Sequence, residues 1–197
     1  MTIFQLIMLG ASAYFAFKIY EHIQTLKDKE GNEGVVDRPR TAEAFSTFSP
    51  ESLVQRADEA FENDDKEKAL ALLIEANAKD AQNADILFKI AYISNQIGNS
   101  DEALMYYQES LDADANNEFA HNAIASIYRQ KGEFASAKNH LQASLDIDAT
   151  NPITYYNFGN LLVAMHKNSE AIIMYEKALE LKADFVEAKE ELAKIQG

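Results

Sequence analysis

The 197-residue sequence contains no cysteine. That absence excludes disulfides, thiol nucleophiles, thiolate metal sites and a lipidated N-terminal cysteine. Glycine is sparse as well: the 7 residues are scattered, and no Gly-rich phosphate loop or Gly-x-Ser-x-Gly elbow occurs. Basic residues are outnumbered, with 18 Lys and Arg against 32 Asp and Glu and a formal net charge of −14. The deficit is local. Residues 1–49 hold 5 basic and 6 acidic side chains, a balance of −1, whereas residues 50–197 hold 13 and 26, a balance of −13. So acidic a region repels phosphate backbones, which argues against nucleic acid as a partner.

Apolar residues make up 47% of the chain, and an uncharged run opens it: residues 3–17, IFQLIMLGASAYFAF. With Thr2 and Lys18 to Tyr20, about 18 residues can be helical. At about 1.5 Å each they reach ~27 Å, close to the ~30 Å of a hydrocarbon core. Tyr14 and Tyr20 suit an interface, and Lys18 can reach the headgroups. The expectation is one transmembrane helix over residues 2–20, in contact with the lipid bilayer. Helical spacing (Ile23, Leu26) carries it to about residue 29. The alternatives are a cleaved signal peptide, since Ala11-Ser12-Ala13 fits the small-residue cleavage pattern, and a buried helix of the following domain. No basic residue precedes the run and apolar residues continue past Ala13, so the anchor is favoured. Lys18, Lys27 and Lys29 follow the span, which favours a single-pass protein with a cytosolic C-terminal domain; the opposite orientation is the alternative. Residues 30–49 carry Gly31, Gly34 and Pro39 without a sustained apolar period and read as a linker. Its Ala44, Phe45 and Phe48 are expected to dock on the neighbouring domain, or else to be a short binding segment.

From Pro50 the chain divides into four segments of equal length, 50–83, 84–117, 118–151 and 152–185, with no insertion or deletion. The eighth position is Ala57, Ala91, Ala125 and Gly159. The twentieth is Ala69, Ala103, Ala137 and Ala171, and the twenty-seventh is Ala76, Ser110, Ser144 and Ala178. The twenty-fourth is always bulky: Leu73, Tyr107, Leu141 and Tyr175. Each segment has two apolar stretches of helical spacing parted by a polar corner. Gly98 and Gly132 lie at that corner, where a residue without a Cβ can end the first helix. Small residues on facing helices let two backbones approach, and the large one fills the space beside them.

The pattern resembles the tetratricopeptide repeat family over residues 50–185. The last segment carries it best, in YYNFGNLLVAMHKNSEAIIMYEKALEL. Tyr155, Phe158, Gly159 and Leu162 match the family's first helix; Ala171, Tyr175 and Ala178 match its second. Two features depart from it. Ala81, Ala115, Ala149 and Ala183 stand where proline is usual, and Arg56 holds an apolar position, which marks the first segment as an atypical cap. The resemblance implies an all-α fold: a right-handed solenoid of antiparallel helix pairs, here preceded by the transmembrane helix. Residues 186–197, VEAKEELAKIQG, read as a polar capping helix with Glu187, Glu190, Glu191 and Lys194 toward solvent.

In this family the first helix of each repeat lines a concave groove. Carried over position by position, that implies Phe88, Tyr92, Asn122, Arg129, Tyr156, Asn157 and Asn160 as partner-binding residues. Asparagine amides donate and accept, which suits an extended peptide backbone, and aromatics give large contact area at small entropic cost. The clamp by which some family members hold a chaperone's C-terminal carboxylate is not matched. One register gives Val54, Asp58, Lys89, Phe119 and Ala123; the next gives Phe88, Tyr92, Ala123, Ile153 and Asn157. Neither set can hold two carboxylates. The expected function is therefore a membrane-anchored scaffold that binds a peptide or helix of a partner protein. The alternative is a chaperone-like envelope assembly factor holding unfolded clients, with the repeats on the non-cytosolic side.

Catalysis finds no support. His121 and His140 lie in different helices, His166 lies at a corner, and none pairs with another ligand at i,i+3 or i,i+4. They are expected to be surface or packing residues. Asp64-Asp65 and Asp112/Asp114 fall in corners and turns, where acids are solvated or cap the next helix. No enzyme, cofactor, metal or small-molecule substrate is expected.

Overall fold

A computed structural model describes residues 47–197. The expected membrane helix, most of the linker, and Ala44 and Phe45 lie outside the described residues. Among the described residues no helix is long and apolar enough to cross a membrane.

Helix starts recur with the sequence period. First helices are α1 (Pro50–Glu62), α3 (Ala84–Gln96), α5 (Glu118–Gln130) and α7 (Pro152–Ala164). Each is preceded by a capping side chain, Ser49, Asn83, Asn117 or Asn151, whose oxygen accepts a first-turn backbone N–H. Second helices are α2 (Lys66–Lys79), α4 (Ser100–Ala113), α6 (Phe134–Ile147) and α8 (Asn168–Leu181), and α9 (Val186–Gln196) ends the chain. Asp65 caps α2 by accepting from the Lys68 N–H, the structural role expected of that acidic pair. No strand occurs among the described residues.

The corners share one backbone device. The fifteenth residue of every segment has a left-handed conformation: Asp64 (φ 60°), Gly98 (φ 90°), Gly132 (φ 78°) and His166 (φ 59°). Glycine meets this demand without strain at two corners; Asp64 and His166 meet it at a steric cost.

All four size columns are buried. The eighth, twentieth and twenty-seventh positions lie inside with the bulky Leu73, Tyr107, Leu141 and Tyr175 among them. The small residues allow each helix pair to close, and adjoining pairs stack into a solenoid with a continuous apolar interior. Ser110 and Ser144 add a hydrogen bond within their pairs, donating to the carbonyls of Ala84 and Glu118 at 2.9 and 3.3 Å.

The two ends of the repeats differ. Arg56, at its usually apolar position, places its guanidinium 4.3 Å from the centre of the exposed Phe48 ring, a cation–π contact at the start of the first pair. At the other end α9 buries Ala188 and packs Leu192 and Ile195 against the fourth pair; Glu187, Glu190 and Lys194 stay exposed as expected, while Glu191 is half-buried and pairs with Lys194.

Candidate functional site

Contacts between first helices place them side by side along one face of the solenoid. Lys89 on α3 pairs with Asp58 on α1. The Tyr92 ring meets the Phe61 ring edge-on at 5.7 Å. Further along, Asn157 on α7 donates to the Asn122 side-chain oxygen on α5 at 2.9 Å.

Large apolar groups stand exposed on this row. Tyr92 is 42% accessible, Phe119 51% and Ile153 42%. Phe119 and Ile153 are second residues of their helices, beside the capping asparagines. There the chain has just entered the helix and no neighbouring turn covers the side chain. Phe119 holds a groove position implied by the family resemblance without being singled out as a contact, whereas Ile153 was not expected there, although an apolar residue in a first turn was a visible signal.

The other expected contacts differ in availability. Phe88 is half-buried with its ring edge on Tyr107, centroids 5.5 Å apart. Tyr156 is half-buried between Tyr175 (5.9 Å) and Phe185 (5.1 Å). Arg129 is half-buried near the end of α5. Asn160 accepts from the Tyr175 hydroxyl at 2.8 Å. Burial raises the Tyr175 pKa and keeps that hydroxyl a donor.

Asn122 corrects the expectation. Its side chain is 4% exposed, and its amide nitrogen lies 2.7 Å from Ser144 Oγ, 2.8 Å from Thr154 Oγ1 and 3.0 Å from the Glu118 carbonyl. Ser144 and Thr154 also bond to each other at 2.9 Å. The amide is thus spent on a buried polar junction between the third and fourth repeats and offers nothing to a ligand. Asn157 is partly drawn into the same junction.

Two of the histidines pack against each other, within the surface or packing role expected of them. His121 and His140 lack ligand spacing within one helix, but the closure of α5 on α6 brings their Nδ1 atoms to 3.0 Å. Burial lowers the pKa of both, and for His140 the neighbouring His121 lowers it further. Among the described residues there is no group of three or more His, Cys, Asp or Glu placed to hold a metal ion.

Charge on the first-helix face is uneven. Glu51, Asp58, Glu62 and Asp85 crowd the α1–α3 end, offset by Lys89 alone at those positions, whereas the α5–α7 stretch between Phe119 and Asn160 carries only Arg129 on its groove positions.

Two tetratricopeptide repeat models match the sequence, over residues 54–118 and 117–184, together about two-thirds of the chain. Curated proteins give no match. Among solved structures, MamA residues 41-end from Desulfovibrio magneticus RS-1 is similar with a TM-score of 0.66 and 15% identity, covering 75% of this chain and 83% of that one. PilF of Pseudomonas aeruginosa gives 0.67 and 20%, covering 74% and 67%. The first repeat domain of Spaghetti, solved bound to an HSP90 peptide, gives 0.55 and 30%, covering 59% and 92%.

Proposed function

The chain belongs to the tetratricopeptide repeat family, and on that footing we propose that its first helices form a groove holding a peptide or helix of a partner protein. The observation that carries this reading is the exposed row of Tyr92, Phe119 and Ile153. Burying one such side chain contributes about 1.5–3 kcal/mol, so a few of them can anchor a ligand while the surrounding polar groups set its register. Half-buried Phe88, Arg129, Tyr156, Asn157 and Asn160 line the same helices and complete the proposed contact set.

The partner differs in chemistry from an acidic C-terminal peptide. Lys89, the one cation at a clamp position in either register, is held by Asp58, and Phe119 and Ala123 stand where the clamp needs basic groups. The balance of −13 over residues 50–197 further favours a neutral or basic segment.

We also propose that residues 2–20 anchor the chain in a membrane with the repeats on the cytosolic side. Confinement to a surface raises the effective concentration of a partner located there. A reporter enzyme fused after Gly197 tests the orientation, since activity on the far side would reverse it. For the groove, Phe119→Ala with Ile153→Ala should weaken binding of a partner recovered with the wild-type chain at least tenfold, with helicity and thermal midpoint unchanged. Undiminished binding would move the surface elsewhere.

A further inference from the structure

The fourth and twenty-third repeat positions are apolar in three of the four segments: Leu53 and Leu72, Leu87 and Tyr106, Tyr155 and Met174. In the third they are His121 and His140, one from each helix of the pair, with Nδ1 atoms 3.0 Å apart and ring centroids 5.2 Å apart. The Tyr128 ring flanks His140 at 5.7 Å. Both imidazoles are half-buried, so neither is wholly enclosed by protein. An apolar pair would satisfy the packing here, as it does in the other repeats, without the cost of desolvating two imidazoles.

We propose that His121 and His140 form a two-imidazole site for a divalent transition-metal ion, preferring Cu2+ and Ni2+, with water in the remaining coordination positions. The spacing suits a cis pair of ligands. Bonds of about 2.0–2.1 Å across the observed gap make an N–metal–N angle of about 90–97°. That is the cis angle of square-planar or tetragonal Cu2+ and Ni2+, whereas tetrahedral zinc would need the nitrogens about 3.3 Å apart. The order of divalent affinities points the same way. In the metal-free pair one Nδ1–H donates to the other Nδ1; ligation moves that hydrogen to Nε2, so both rings bind as neutral imidazoles and no proton is released. The surrounding excess of carboxylates raises the local concentration of cations. A bound ion would join α5 to α6 one residue from the buried Asn122 junction.

The test is titration of the full chain with NiCl2 by calorimetry, alongside thermal melts. Leucine occupies these positions in the first repeat, so His121→Leu and His140→Leu should keep the helicity of the wild type. One equivalent of Ni2+ is expected in the wild type, at least tenfold weaker in each leucine variant and unchanged in His166→Gly. Ni2+ should raise the thermal midpoint only where both histidines remain. Absence of that equivalent in the wild type, its survival in either leucine variant, or its loss in His166→Gly would overturn the proposal.

Discussion

A methyl group on Gly159 would lie 2.4 Å from Cε1 of Tyr175, so the bulky residue of the fourth repeat rests directly against its glycine. The other small–large combinations use alanine, including Ala57 with Leu73 and Ala125 with Leu141. The second repeat keeps alanine beside its tyrosine, Ala91 with Tyr107, whereas in the fourth the ring lies where that methyl would go.

Gly159→Ala should therefore destabilise the fold despite its better helix propensity. The propensity gain is about 1 kcal/mol and the overpacking cost about 1–3 kcal/mol, for a net loss of about 1 kcal/mol. Urea denaturation of Gly159→Ala, Tyr175→Leu and the double variant measures the coupling. The loss from the alanine should largely vanish in the Tyr175→Leu background, where the pair matches the first and third repeats.

Asn122→Ala should cost about 1–3 kcal/mol, because Ser144, Thr154 and the Asn157 amide lose a buried partner together. Its effect on ligand binding should follow only from that loss of stability. Phe119→Ala should behave oppositely, leaving the denaturation midpoint within experimental scatter. Substituting Asn157 and Asn160 together is a poor probe of the groove, since both make hydrogen bonds within the fold.

At the corners, Asp64→Gly and His166→Gly should each stabilise by about 0.5–1 kcal/mol by relieving a left-handed backbone. Gly98→Ala should lose a similar amount, for backbone strain alone, since an added Cβ there meets nothing within 4 Å. Thermal melts of the three variants check the signs.

Stability should also fall in mild acid. His121 and His140 titrate below the ordinary histidine value of about 6.5 when folded, both because of burial. The unfolded chain then binds more protons than the folded one between those values, so stability is fully present above about pH 6.5 and declines as pH drops toward the folded pKa values. The groups placed against the rings are the other imidazole and, beside His140, the Tyr128 ring. Denaturation midpoints at pH 7.5 and 5.5, in chelator, should differ more for the wild type than for His121→Leu with His140→Leu.

The fold was legible because it rests on sterics with a fixed period. Twelve small positions and four large ones recur without a gap, and every one is buried. All four corners were legible, but only Gly98 and Gly132 announced a left-handed backbone there; Asp64 and His166 did not, because their residue types do not demand one and only the repeat register imposes it. The groove was legible in part. Tyr92 is exposed as its position implied. Asn122 was misread because an amide at a first-helix position looks solvated until Ser144 and Thr154, from two other helices, supply its partners. The histidine pair was missed for a related reason: ligand spacing along one helix says nothing about two helices closing on each other.

Photo-crosslinking tests the central claim most directly. A photoreactive amino acid would replace Phe119 on the first-helix row and, in a separate chain, Ile173 on α8, which is at least as exposed. Irradiation in cells followed by mass spectrometry should give one recurrent polypeptide adduct from position 119, lost when Tyr92 and Ile153 are changed to serine, and none from position 173. Adducts from position 173 with none from 119 would contradict the groove.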